Sequence, residues 1–420
     1  MLKLNSDVYF HFFSEGMLVE YMGELTMLNS LQKEIIKEIN QTGELEDVVD
    51  ILNQRYKGLP TREIQKAIQK VVGRFKEKNW VLESYDAVVS KIHIFGYEGC
   101  YYPKKISIEL TDRCHLSCNH CFKECGPWNR ISISKDDLIQ FLQEVKGKVA
   151  EVQITGGEPM LHPNFVEISK FVGSNFKRKE LTTTAGFVNQ NNISALKNYD
   201  YIQVSLYSDN ADKHDAITNL KGSFYRTIKG IKLLVDSGIH CGVSNIVRKD
   251  LLMQIDDYIQ FVADLGVDEV RFGILSIWGR ASNVDEEWRM GKSDIELCSD
   301  ILHTLHAKYI EVLEVVEWSE NGHSGMIADL FNTGLQCGAG MLSWEITETG
   351  IIKPCSFFSS RHFDWLNIKN YASYILVNQS DKILCGILEW ERELNSVGLT
   401  TKNICHLIHR AIIRGGQNET

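Results

Sequence analysis

Ile106-Ser-Ile-Glu-Leu110 runs directly into Thr111-Asp-Arg-Cys114-His-Leu-Ser-Cys118-Asn-His120-Cys121-Phe122. The first five residues alternate apolar and polar side chains, the pattern of a strand with two unlike faces. The three cysteines that follow are separated by three and then two residues. Such a loop can wrap one face of a cubane iron–sulfur cluster, whose irons take thiolates and normally require four of them. Three cysteines leave one iron without a protein ligand. A zinc ion is the alternative occupant, but zinc sites usually pair two Cys-x-x-Cys knuckles, and that pairing is absent.

Downstream of this loop the pattern repeats as strand, then helix. Strands are expected at Ile106–Leu110, Glu151–Thr155, Arg178–Thr183, Tyr201–Leu206, His240–Val247 and Glu269–Gly273, with amphipathic helices such as Lys135–Val145 and Ser223–Val235 between them. Six βα units predict an α/β fold, a parallel sheet curled into a partial (β/α)6 TIM-like barrel over residues 105–320. The cysteine loop then lies at the carboxyl end of the first barrel strand, where active sites collect.

Residues 1–83 carry a different pattern. Tyr9–Phe13, Met17–Tyr21 and Leu25–Leu28 read as a small meander. Three helices follow, the first capped by Asn29 or Ser30 and the third by Thr61, and Trp80-Val81-Leu82 returns to the sheet. This is a winged-helix-like module, joined to the barrel by a linker over 84–104. Residues 321–420 break the βα rhythm and carry Cys337, Cys355, Cys385 and Cys405, which reads as a separate, smaller metal-binding segment.

The composition narrows the setting. A net charge of −10 with Lys and Arg scattered argues against nucleic acid as a partner. On the third helix Arg62, Lys66, Lys70 and Arg74 form a basic stripe, offset by Glu15, Glu20, Glu44, Glu46, Asp47 and Asp50. No apolar run reaches the length of a membrane span, and the amino terminus lacks signal-peptide architecture, so the expected location is the cytoplasm. Eleven cysteines in a reducing compartment fit metal ligation better than disulfides.

The loop resembles the CxxxCxxC signature of the radical SAM superfamily, with His120 at the position before the last cysteine. Thr155-Gly156-Gly157-Glu158-Pro159 resembles that family's GGEP motif, Ser205 its ribose- or carboxylate-contacting residue, and Gly279-Arg280-Ala281 a motif near the adenine side. The resemblance implies a [4Fe-4S] cluster on Cys114, Cys118 and Cys121, with S-adenosylmethionine on the open iron. It implies cofactor contacts from His120, Phe122, Gly156, Gly157, Glu158 and Ser205. Ala185, Tyr207 and Thr218 depart from residues frequent in relatives.

Cys337, Gly350 and Cys355 resemble the opening of a SPASM domain, whose dense four-cysteine run is missing. A shortened twitch form with one auxiliary cluster on Cys337, Cys355, Cys385 and Cys405 is implied; four core cysteines are the alternative. The first module resembles the leader-recognition element of enzymes that mature ribosomally made peptides. With His214-Asp215 and Lys221-Gly222-Ser223-Phe224, CGAG at 337–340 and KNIC ending at Cys405, the resemblance extends to subtilosin-type sactipeptide maturases. It implies a precursor peptide bearing a leader, a flavodoxin or ferredoxin as electron donor, and thioether formation. A peptide epimerase, a carbon–carbon cross-linking maturase and a non-enzymatic DNA-binding sensor remain as alternatives. For an epimerase, Cys125 and Cys241 are the candidate hydrogen donors.

Overall fold

The computed structural model describes residues 1–13, 16–58, 60–85, 91–100, 102–275, 279–316, 342–353, 355–356 and 366–370. The chain divides into two compact units, one of Met1–Lys104 and one from Lys105 onward.

The first unit begins with β1 (Leu2–Leu4), β2 (Tyr9–Phe13), β3 (Gly16–Tyr21) and β4 (Glu24–Leu28). Helices α1 (Ser30–Thr42), α2 (Leu45–Arg55) and α3 (Thr61–Glu77) follow, then β5 (Val81–Glu83) and β6 (Phe95–Gly96). Asn29 caps α1, accepting from the Gln32 amide at 3.0 Å while the Gln32 side chain accepts from the Asn29 amide. Thr61 does not cap α3; Pro60 occupies that place without a side-chain bond, and Thr61 is the first helical residue. Ile35, Ile36, Ile39, Val48, Leu52, Ile68 and Phe75 pack with Phe10, Met17 and Val19 into one core. This is the helical spacing of the sequence meeting the strand alternation.

The stub at Trp80–Leu82 returns to β1 rather than to the meander, pairing Leu4 with Val81 antiparallel. The segment expected as a linker is structured in its second half: β6 runs parallel to β2, and Asn40 clamps the Ile92 amide and carbonyl at 2.9 and 3.0 Å. Ile92 and Ile94 pack on the same core, so the alternation Ile92-x-Ile94 was the signal.

His11 lies inside this unit with no exposed surface. Its Nε2–H donates to the Tyr102 carbonyl at 2.8 Å, and its Nδ1 accepts from the Tyr9 hydroxyl at 2.6 Å. Burial holds its pKa down at about 3, against the 6.5 of a free imidazole. The folded state therefore keeps His11 neutral while the unfolded chain binds a proton below pH 6.5. Its contribution is fully present above 6.5 and is lost as pH falls from there toward 3, at up to about 1.4 kcal/mol per unit. Denaturant melts at pH 7.0 and 5.5 should show this loss in the wild type and a smaller one in His11→Gln.

The second unit is built on strands β7 (Lys105–Glu109), β8 (Glu151–Thr155), β9 (Arg178–Thr183), β10 (Tyr201–Ser205), β11 (Cys241–Ile246), β12 (Glu269–Gly273), β13 (Glu314–Val316), β14 (Ser343–Ile346) and β15 (Ile352–Lys353). Helices α4 (Lys135–Val145), α5 (Phe165–Asn175), α6 (Ile193–Leu196), α7 (Ala211–Thr218), α8 (Ser223–Asp236), α9 (Lys249–Leu252), α10 (Ile255–Asp264) and α11 (Lys292–Tyr309) lie between them. The strands β7 to β13 run parallel in sequence order, the topology of consecutive crossovers. All six expected strands are present.

β14 falls in the segment expected as a separate domain. It joins the barrel sheet instead, parallel to β7 with Ile346 opposite Ile108, and β15 turns back on it. Along the strands Ile106, Ile108, Val152, Ile154, Leu181, Ile202, Val204, Val243 and Val270 are fully buried. Their alternates are largely polar, so one face is covered and the other is hydrophilic.

Candidate functional site

The cysteine loop leaves β7 and is tied down from three directions. The amides of Ser117 and Asn119 donate to the carbonyls of Thr218 and Ile217 at the end of α7, at 3.1 and 3.0 Å. The Asn219 side chain returns a bond to the Ser117 carbonyl at 2.8 Å. That helix end is itself held by Asp215, which accepts from the amides of Gly222 and Phe224 and from the Ser223 hydroxyl. From the sixth strand's end, Arg280 donates to the carbonyls of Cys118 (2.9 Å) and Cys125 (2.7 Å), and its amide to that of Cys121 (3.2 Å). Gly279 before it has φ +57, and a Cβ there would stand 2.5 Å from the Phe122 carbonyl. Arg280 and Asp215 thus hold the loop, a part the sequence motifs signalled without specifying.

The loop brings Cys114, Cys118, Cys121 and Cys125 against one another, with Leu116 and Leu220 around them. All four are free thiols. Burial pushes the Cys114 thiol up to about 12 and Cys118 further still. Cys121 is lowered, chiefly by a hydrogen bond with the Cys125 thiol, which is raised in turn. Soft sulfur donors that face each other, two of which resist ionisation alone, suit a cationic cluster, which deprotonates them on binding. Among the described residues no three His, Cys, Asp or Glu side chains converge on a single ion. A zinc ion needs that convergence, whereas a cubane places each thiolate on a different iron. The residues present fit the cluster.

Gly156 and Gly157 press against the base of the loop. A Cβ on Gly156 would stand 2.6 Å from the Thr111 carbonyl oxygen, and one on Gly157 2.4 Å from that of Arg113. Glu158 has no exposed surface. Its carboxylate accepts from Thr183 Oγ1 (2.8 and 2.9 Å), the Thr184 amide (2.9 Å), Thr184 Oγ1 (2.6 Å) and the Met160 amide (3.2 Å). It therefore braces the glycine turn from within.

His120 is buried, with its ring stacked on Trp288 at 5.0 Å and edge-on to Tyr207 at 4.4 Å; burial lowers its pKa to about 3. Phe122 is partly exposed beside it, and Ser205 stands half-buried at the end of β10, hydrogen-bonded to Tyr207. Thr218, buried, supports the loop through its carbonyl. Ala185 adopts φ +57, the left-handed region that asparagine tolerates better than alanine.

Cys125 is 4% exposed, its thiol beside Cys121 and the Lys123 carbonyl, and Cys241 is 0% exposed on the covered face of β11. Of the auxiliary set, Cys355 is half-buried just beyond β15. Cys337, Cys385 and Cys405 lie outside the described residues.

Residues 108–262 match the radical SAM superfamily. The antilisterial bacteriocin subtilosin biosynthesis protein AlbA of Bacillus subtilis is 28% identical over 260 residues, 61% of this chain and 55% of that protein. The sporulation killing factor maturation protein SkfB of Bacillus subtilis is 25% identical over 267 residues, 63% of each chain. This chain thus spans less than two thirds of the length of these curated relatives. Streptococcus suis SuiB, solved bound to S-adenosylmethionine and bound to precursor peptide SuiA, has TM-scores of 0.60 and 0.61 at 16% identity, covering 84% of this chain and 83% of that one. That likeness shows the fold. Family match, shared fold and the clamped three-cysteine loop agree: this chain carries a radical SAM domain over residues 108–262.

Proposed function

We propose that this chain is a radical SAM peptide maturase that forms thioether cross-links in a ribosomally made precursor. The observation that carries the radical reading is the loop itself, three mutually facing thiols clamped by Arg280 and the end of α7 above a glycine turn. When bound, the cluster and S-adenosylmethionine supply a 5′-deoxyadenosyl radical. Cys114, Cys118 and Cys121 would hold the cluster, and the Gly156-Gly157 backbone would lie along the cofactor. His120, Trp288 and Tyr207 form a wall of neutral rings at the loop.

The substrate class rests on the first unit, whose meander and helices have the leader-recognition pattern, and on two relatives named for biosynthesis of the bacteriocin subtilosin and for maturation of a sporulation killing factor. An extended leader would add a strand to a sheet edge. The auxiliary cluster, on Cys337, Cys355, Cys385 and Cys405, and an external electron donor such as a flavodoxin or ferredoxin belong to the same reading. Thioether formation removes two hydrogens from the peptide per bond. Epimerisation returns one, and its candidate donors Cys125 and Cys241 are both buried.

The test is anaerobic incubation of the reduced, iron-loaded chain with S-adenosylmethionine. Release of 5′-deoxyadenosine is expected. A DNA-binding sensor would release none, and that outcome would end the enzyme reading.

A further inference from the structure

The hydrophilic face of the barrel sheet is organised in rows. The registers place Gln203 beside Thr182 on one side and Gly242 on the other, and Ser205 beside Ser244 one row nearer the strand ends. Gln153 reaches across from β8, its Nε2 donating to Thr182 Oγ1 at 3.0 Å. Gln153, Thr155, Thr182, Gln203, Ser205 and Ser244 are all half-buried. Gln203 and Ser244 make no side-chain hydrogen bond among the described residues.

A closed barrel fills this position with Val, Ile and Leu. Here most of the apolar residues face the helices, and the opposite face carries, beside Tyr201 and Ile246, amides and hydroxyls that water or a ligand must satisfy. The band is neutral. Charges on the same face are paired with each other, as in Lys105 with Glu180 at 2.5 Å and Arg271 with Glu269 at 2.9 Å. A primary amide offers the same donor and acceptor as a peptide bond, so a glutamine can pair with main chain at two points.

We propose that Gln153 and Gln203 form a subsite that reads the main chain of the peptide segment undergoing modification. The six residues of the band are polar, and Tyr201 and Ile246 flank it on the same face. It lies one to two rows along the strands from Ser205, on the sheet whose β7 end carries the cysteine loop. This proposal rests on the peptide-modifying reading and adds which groups of the substrate are recognised.

The probes are acetyl-Gly-Ser-Gly-Cys-Gly-amide and its analogue methylated at three backbone nitrogens, titrated calorimetrically into the full-length, cluster-loaded chain. N-methylation removes main-chain donors and should weaken binding about tenfold. Gln153→Leu and Gln203→Leu should each weaken the unmethylated probe about fivefold to tenfold, with Gln203→Asn recovering part of the loss. Equal binding of the two probes to the wild-type chain would overturn the proposal whether or not the leucine variants fold. So would wild-type affinity in leucine variants that keep the wild-type melting midpoint. Absence of 5′-deoxyadenosine release by the wild type is a separate result and ends the radical reading instead; release without any probe binding ends only this subsite.

Discussion

Replacing Cys114, Cys118 and Cys121 together by alanine should abolish release of 5′-deoxyadenosine, a drop on the order of 10⁶-fold. The three thiols are the sulfur donors that the loop brings together, apart from Cys125, which bonds to Cys121. The loop itself should survive the change. Its bonds to Thr218, Ile217 and Arg280 run through backbone groups, which alanine retains. The variant should therefore fold, lose the cluster that binds the cofactor, and keep any iron held by Cys337 and Cys355. Iron content with the melting midpoint separates this from simple unfolding. Undiminished cleavage in the triple variant would contradict the assignment.

Gly157→Ala should reduce cofactor cleavage about 10²-fold. The added Cβ would lie 2.4 Å from the Arg113 carbonyl oxygen, a backbone atom that cannot turn aside as a side-chain tip can. Either the glycine turn or the base of the cysteine loop must then shift by a large fraction of an ångström. Glu158 holds the turn from the other side through Thr183, Thr184 and Met160, so the strain has no easy release. Gly73→Ala should do the opposite. Gly73 lies inside α3 with nothing within 4 Å of the new carbon, so alanine should stabilise the chain by about 0.5–1 kcal/mol. A steady-state rate for the first and a denaturation midpoint for the second check the pair.

The parts of the fold readable in the sequence were those with a strong local period. Ile106, Ile108, Val152, Ile154, Ile202 and Val204 recur at every second residue, and each lies on the covered face. Residues at helical spacing in α1 and α3 likewise found the core of the first unit. The short strands β1, β6 and β14 were missed because their identity comes from the partner. β1 exists through β5, β6 through β2, and β14 through β7.

The site divides in the same way. The three cysteines and the two glycines were legible because their chemistry demands fixed spacing. How Glu158 is held was not, since its spacing does not reveal the bonds from Thr183, Thr184 and the Met160 amide. Cys125 could be counted but not aimed. Its thiol meets Cys121 because the chain turns through Glu124 at φ +55, a backbone choice no spacing reveals. The amide band was visible as alternate polar residues, but only the strand registers place Gln153, Thr182 and Gln203 side by side.

The central claim is that three cysteines hold a cluster whose remaining iron is open to S-adenosylmethionine. Electron paramagnetic resonance of the reduced, cluster-loaded chain, recorded before and after adding S-adenosylmethionine, tests it most directly. A signal that changes shape on addition is expected, and that component should vanish in the Cys114, Cys118 and Cys121 triple alanine variant. A wild-type signal that is indifferent to the cofactor, or one that persists in the triple variant and still responds, would contradict it.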